Sequence, residues 1–209
     1  NTRSNWDRRN QYLVCMYQIV DLSPEDHPTR EQAAALLHAV FQPISWATLD
    51  EARQEIDGML VGERFLQIAL EDAPTPAIVG MIGGIPQYDG RVWELHPLVV
   101  APAHQRQGIG RALAQDLEAQ VAARGGLTLQ LGTDDEDGMT SLANVDLYPN
   151  VAEKIMNIRN LRRHPYEFYQ KLGFVITGIV PDANGWGKPD IMMSKRVSRR
   201  RYSMTFAHP

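Results

Sequence analysis

Residues 105 to 110 read Gln-Arg-Gln-Gly-Ile-Gly, with Arg111 next, and they lie between a short apolar run and an amphipathic one. A helix that starts here leaves about four backbone N–H groups without intrahelical partners and carries a partial positive charge. Glycine at 108 and 110 removes side chains from that point, so phosphate oxygens can approach the amides, and Arg106 and Arg111 add positive charge. The expected guest is a pyrophosphate; the alternative is a glycine-relieved tight turn before an ordinary helix. Neither G-x-x-x-x-G-K-[S/T] nor G-x-G-x-x-G occurs, so nucleotide hydrolysis and dinucleotide binding lose their best sequence support. Two other groups carry charge or chemistry. Glu94 and His96 stand two apart in an alternating segment and therefore share one face. The run TDDEDG sets Asp134, Asp135, Glu136 and Asp137 in succession.

These groups need elements to hold them. YQIVDL (17–22) alternates as a half-buried strand does, and SPEDHPTREQAAALLHAVF then gives a proline-rich turn followed by helix-spaced apolar positions. A second helix is expected over 49–59, and strands over 64–70, 77–86 and 92–100. The connections EDAPTP and QYDG are turn chemistry suited to antiparallel hairpins. From Gln107 to Ala123 the apolar residues Ile109, Leu113, Leu117 and Val121 recur four apart, which predicts a helix ended by Gly125 and Gly126. A strand over 127–133, a polar irregular stretch over 134–150, helical stretches over 151–155 and 165–172, and strands over 174–180 and 190–197 complete the chain. The order β-α-α-β-β-β-α-β-α-β-β, with its fourth helical region in two pieces, implies an α/β (α+β) fold: a mixed sheet with helices on its faces.

At 209 residues the chain suits one sizeable domain, and 44% apolar with 22% charged residues is a globular composition. No window approaches the roughly 20 apolar residues of a membrane span. The single cysteine, Cys15, allows no internal disulfide and leaves no cysteine cluster for a metal, so none is expected and a reducing cytoplasm is the natural home. The start lacks the apolar core of a signal peptide. Because the strand pattern begins near Met16, residues 1–15 are expected to be a non-native extension, 16–197 the domain, and 198–209 a basic tail. The net charge of −4 hides an asymmetry: residues 11 to 194 hold 13 basic against 24 acidic groups, about −11. Nucleic acid needs clustered lysine and arginine and is an improbable partner for such a body. A cationic partner fits, the other reading being acidity for solubility alone.

The segment Gln105-Arg106-Gln107-Gly108-Ile109-Gly110 resembles the Q/R-x-x-G-x-G/A signature of the GCN5-related N-acetyltransferase (GNAT) superfamily. WELHPLVV upstream, NIRNLRRHPYEFYQKLGF (157–174) and PDANGWGKPDIMMSKR (181–196) are together similar to the aminoglycoside 6'-N-acetyltransferases. The resemblance spans 17–196. It implies a mostly antiparallel central sheet splayed between its fourth and fifth strands and flanked by helices, with acetyl-CoA as the coenzyme. Pantetheine is then expected along Leu98, Val99 and Val100, and the pyrophosphate on Gln105, Arg106, Gln107, Gly108, Ile109, Gly110 and Arg111, with Asn160 and Tyr169 also at the coenzyme. Pro97 agrees independently, since proline donates no ladder hydrogen bond and belongs at a strand edge or bulge.

Acetyl transfer to an amine needs a deprotonated amine, positioning, donors for the developing oxyanion and a proton for the departing thiolate. The resemblance gives Glu94 the substrate amine and its proton, directly or through water, with His96 in support; otherwise Glu94 is a solvated strand carboxylate and His96 a structural histidine. The Leu98 N–H is the natural oxyanion donor. Tyr169, and after it Tyr166, would serve the thiolate, although Phe168 and Leu172 give that segment an apolar face and either tyrosine can be core. A polyamino sugar calls for carboxylates around it. Asp134, Asp135, Glu136, Asp137, Asp182 and Asp190 are candidates, led by Asp135 and Asp190, against the reading of a solvated acidic loop. Trp46 and Trp186 are candidate aromatic walls. A homodimer is expected from the family. The alternatives are an acetyltransferase for another polyamine or protein amine, and a noncatalytic acyl-CoA sensor.

Overall fold

The computed structural model describes residues 17 to 197; the readings for 1–15, Met16 and 198–209 lie outside the described residues. Seven strands are observed, β1 (Tyr17–Asp21), β2 (Phe65–Glu71), β3 (Ile78–Gln87), β4 (Val92–Val100), β5 (Thr128–Asp134), β6 (Val175–Val180) and β7 (Asp190–Arg196). The helices are α1 (His27–Phe41), α2 (Leu49–Met59), α3 (Ile109–Ala123), α4 (Val151–Met156) and α5 (Tyr166–Lys171), with a short 3₁₀ turn at Pro102–His104. Hydrogen bonding orders the sheet β1-β2-β3-β4-β5-β7-β6, with β4 and β5 parallel and the sheet otherwise mostly antiparallel. Every expected element is present. Most other boundaries agree to within one residue; the largest shift is that α3 begins at Ile109 and not at Gln107, because Arg106 and Gly108 have φ of 62° and 92°, a left-handed backbone that no α-helix contains.

The chain forms two compact units, one from the described part of residues 1–83 with 97–113, the other from 84–96 with the described part of 114–209. In the first, α1 is capped by Asp26, whose carboxylate accepts from Thr29 N at 3.2 Å, and Pro28 occupies the first turn, where its missing N–H costs nothing. A reciprocal capping box of Thr48 and Glu51 opens α2. The two helices bury Ala33, Ala34 and Leu37 with Ala52, Ile56 and Met59, while Arg53 meets Glu31 at 2.9 Å on the outside. In the second unit β5 and β6 both pair with β7, and β5 buries Leu129, Leu131 and Thr133 while Thr128, Gln130, Gly132 and Asp134 face the other way.

The same alternation runs along β4. Trp93, Leu95, Pro97 and Val99 are buried, and Glu94, His96, Leu98 and Val100 are half-buried on the opposite face. The β4–β5 ladder covers only Val92↔Thr128, Trp93↔Leu129 and Glu94↔Gln130. Beyond it β4 continues to Val100 without β5, and Pro97, which lacks an N–H, falls in that stretch.

The end of α3 is set by close packing. Gly126 N donates to Val121 O at 2.9 Å, and a Cβ on Gly126 would stand 2.4 Å from Val121 Cγ1 and 2.8 Å from Trp93 Cδ1. Both neighbours are buried. Gly126→Ala is therefore expected to lower the unfolding free energy by about 1–3 kcal/mol, read as a lower urea midpoint at unchanged m.

Candidate active site

The loop from Gln105 to Gly110 is held by its side chains and leaves its backbone open. Gln105 Nε2 donates to Val100 O at 3.1 Å and Gln107 Nε2 to Ala103 O at 3.0 Å, so both glutamines serve as ties. His104 pairs with Glu71 at 3.0 Å and pins the turn before them. Among the described residues, none of the amides from Arg106 to Gly110 donates to a backbone oxygen; the first bond of this kind runs from Ala112 N to Gly108 O at 3.0 Å. Among the described residues a Cβ at Gly108 would meet nothing within 4 Å, and Arg106 and Arg111 are exposed. Gly80 sets this helix start against β4, since a Cβ there would lie 3.1 Å from Val99 O and 3.2 Å from Ile109 Cγ2. Open amides, a bare backbone and two guanidinium groups fit the diphosphate of coenzyme A.

On β4, Gln87 Nε2 donates to Glu94 Oε2 at 2.6 Å, and Gln130 Nε2 donates to Gln87 Oε1 at 2.5 Å. Glu94 Oε1 makes no hydrogen bond among the described residues. Asp190 and Asp134 are register partners at the end of the β5–β7 ladder. Burial first, then the Asp134 carboxylate and to a smaller degree Glu94, push the Asp190 carboxyl from its ordinary 3.8 up to about 6, against a hydrogen bond from the Thr133 backbone. Its Oδ1 is buried without a partner among the described residues. The carboxylate lies over Gly132, where a Cβ would stand 2.3 Å from Asp190 Oδ2. Glu94, Asp134 and Asp190 thus form a group of interacting carboxylates whose negative charge is suited to ammonium.

The acidic run divides by role. Asp135, expected at the sugar, is instead fully buried, and its oxygens accept from Met139 N at 2.5 Å and Thr140 N at 2.7 Å; it shapes the loop. Glu136 meets Lys188 at 3.8 Å. Asp137 is exposed, and its carbonyl accepts from Arg162. Asp134 stays exposed and accepts from Asn184 Nδ2 at 2.5 Å. Asp182 accepts from Gly187 N at 2.7 Å within a turn, and Trp186 beside it is 74% exposed. Trp46 lies in the first unit, its ring 5.0 Å from Phe41 and its Nε1 donating to Glu55 at 3.4 Å.

His164, overlooked in the sequence, places the tyrosine helix. Its Nδ1 accepts from Tyr166 N at 3.2 Å and its Nε2 faces Asp134 O at 2.9 Å, which requires the neutral tautomer with hydrogen on Nε2. Asn160 spends its amide on the same turn, accepting from His164 N at 2.7 Å and donating to His164 O at 3.0 Å. Tyr166 is only 4% exposed, and burial first, then Glu167, raises its pKa. Tyr169 keeps accessible surface between Phe168 and Phe174, and burial pushes its phenol up to about 12, so it holds its proton at neutral pH. Gln87, Gln130, Asn184 and His164 were absent from the sequence-based site. Only the outward register of Gln130 hinted at one of them.

The acetyltransferase (GNAT) family profile matches residues 19–143, and the chain belongs to this family of acetyl-CoA-dependent N-acetyltransferases. Among solved structures, an aminoglycoside 6'-N-acetyltransferase in complex with coenzyme A is 42% identical over 88% of this chain and 98% of its own, with a TM-score of 0.81. The aminoglycoside 6'-N-acetyltransferase from Enterococcus faecium is also 42% identical over the same shares, with a TM-score of 0.80. An aminoglycoside 6'-acetyltransferase type Ii is 37% identical over 88% of this chain and 99% of its own, with a TM-score of 0.68. No curated protein sequence matches the chain. Among the described residues no helix is long and apolar enough to cross a membrane.

Two predictions follow from the carboxylates. Because folding raises the Asp190 pKa from 3.8 to about 6, the folded state binds more protons between those values, so the Asp190 contribution to stability falls as pH rises through that window. Asp190→Asn should therefore be more stable than the parent at pH 7 by about 1–2 kcal/mol, and the difference should vanish near pH 4 in paired urea titrations. Asp135→Ala strands one buried and one part-buried amide and should lose about 2–3 kcal/mol in the same titrations.

Proposed function

We propose that this chain transfers acetyl from acetyl-CoA to the 6'-amine of aminoglycoside antibiotics, and so confers resistance, by direct transfer in a ternary complex. The carrying observation is the 42% identity over 98% of the length of two aminoglycoside 6'-N-acetyltransferases. The carboxylates of Glu94, Asp134 and Asp190 support it, because an aminoglycoside presents several ammonium groups and a neutral amide or peptide would find no match for that charge. Asp137, Asp182, Glu136 and the exposed Trp186 are further candidates for contact with the sugar, and Trp46 is a wall candidate on its own unit. We further propose a cytoplasmic homodimer.

Acetyl-CoA supplies the acetyl group as a thioester. The amides and arginines of 106 to 111 hold its diphosphate, and Leu98, Val99 and Val100 offer backbone along the strand. Glu94 takes the amine through its open Oε1 and accepts the proton; His96, two residues on along the same face, is the supporting acceptor. The Leu98 N–H meets the oxygen on which negative charge develops. Tyr169, protonated at neutral pH, donates to the departing sulfur. Tyr166 and Asn160 hold that helix and its turn.

The test is thiol release from acetyl-CoA with kanamycin or tobramycin as acceptor, and NMR of the product, which should carry acetyl on N6'. Coenzyme A binding without thiol release with any aminoglycoside would overturn the reading. Tyr169→Phe should lower kcat by about 100-fold with an unchanged melting temperature; unchanged turnover would remove Tyr169 from the chemistry.

A further inference from the structure

Glu94 sits where the β4–β5 ladder ends, paired in register with Gln130, and Gln87 is the last residue of β3 on the other side. The three side chains form one line, Gln130 Nε2 to Gln87 Oε1 at 2.5 Å and Gln87 Nε2 to Glu94 Oε2 at 2.6 Å. Its polarity is forced. An ionised carboxylate only accepts, so Gln87 must turn its NH₂ toward Glu94; its carbonyl then faces Gln130, which must turn its own NH₂ inward. All three residues are half-buried, so the two amide dipoles act with little screening by water, and both point their positive ends at Glu94.

We propose that Gln87 and Gln130 are positioning residues for Glu94: a two-amide relay that fixes the carboxylate by Oε2 and keeps Oε1 turned out for the substrate amine. This rests on the reading of Glu94 as the amine's acceptor. The register explains why two glutamines are used. Gln130 is the direct cross-strand neighbour of Glu94, yet its amide is committed to Gln87, so Gln87 alone touches the carboxylate and Gln130 locks the orientation of Gln87. Without Gln130 the Gln87 amide can flip and present its oxygen to Glu94, which repels it.

Methionine matches glutamine in length and flexibility and has no N–H to donate, so Gln87→Met and Gln130→Met remove the relay while filling its space. Loss of a hydrogen bond to a charged group should lower kcat/KM for the aminoglycoside about 10-fold or more in Gln87→Met, and about 3-fold in Gln130→Met, with KM for acetyl-CoA unchanged. The order of action gives the decisive readout. The double variant should match Gln87→Met alone, and in an E94Q background neither methionine should change the residual rate. Additive losses, parent-like kcat/KM in Gln87→Met, or equal losses in the E94Q background would each overturn the relay. A second measurement needs no turnover: the Gln87 side-chain amide signals in a ¹H–¹⁵N spectrum of the free protein should shift in both E94Q and Gln130→Met, and signals unmoved by both would also overturn it. A parent protein that acetylates no aminoglycoside would defeat the proposed substrate while this spectral comparison still judged the relay.

Discussion

Parallel pairing between β4 and β5 stops at Glu94↔Gln130, and the two halves of β4 differ because of that stop. Before it, β4 is held on both sides and can carry a carboxylate in a fixed place. After it, β4 runs on to Val100 without β5, so backbone groups around Leu98 to Val100 need not be consumed by a second ladder. Proline at 97 suits the transition, as it has no hydrogen to offer. One strand therefore changes its surroundings within a few residues, from a stretch paired on both sides to one that runs on without β5.

Opposite charges are kept to separate segments. The loop before α3 contributes amides without backbone partners among the described residues and two exposed arginines, whereas β4 and the ends of β5 and β7 contribute Glu94, Asp134 and Asp190. Neither set is at its electrostatic optimum alone. Asp190 shows this most clearly: a carboxyl with a buried unpartnered oxygen beside a second carboxylate costs stability that a solvated residue would not. A cost of this kind is characteristic of functional sites. Asp135, one residue from Asp134, has no such surplus because two backbone amides satisfy it.

The folding pattern was largely legible in the chain. Four-residue spacing from Ile109 to Val121 gave α3, and alternation gave β4 with its Glu94–His96–Leu98 face, because local periodicity decides which side of an element is buried. The start of α3 was two residues off, since left-handed φ at Arg106 is not signalled by residue type. Within TDDEDG the sequence presented four equivalent acids. Strand alternation and loop hydrogen bonds then made Asp134 exposed and Asp135 internal, and a run of like residues contains no information about that division.

By itself the sequence determined the order of elements and the glycine-opened helix start, which rest on patterns local to each segment, and several of its stretches together resembled the family to which the chain belongs. Tertiary structure alone decided which separated side chains meet. The contacts Gln130 to Gln87 to Glu94, Asp190 over Gly132, and His164 to Asp134 join residues that are 7 to 58 positions apart. Strand register fixes such meetings, and register is a property of pairs of strands that no single stretch of chain contains.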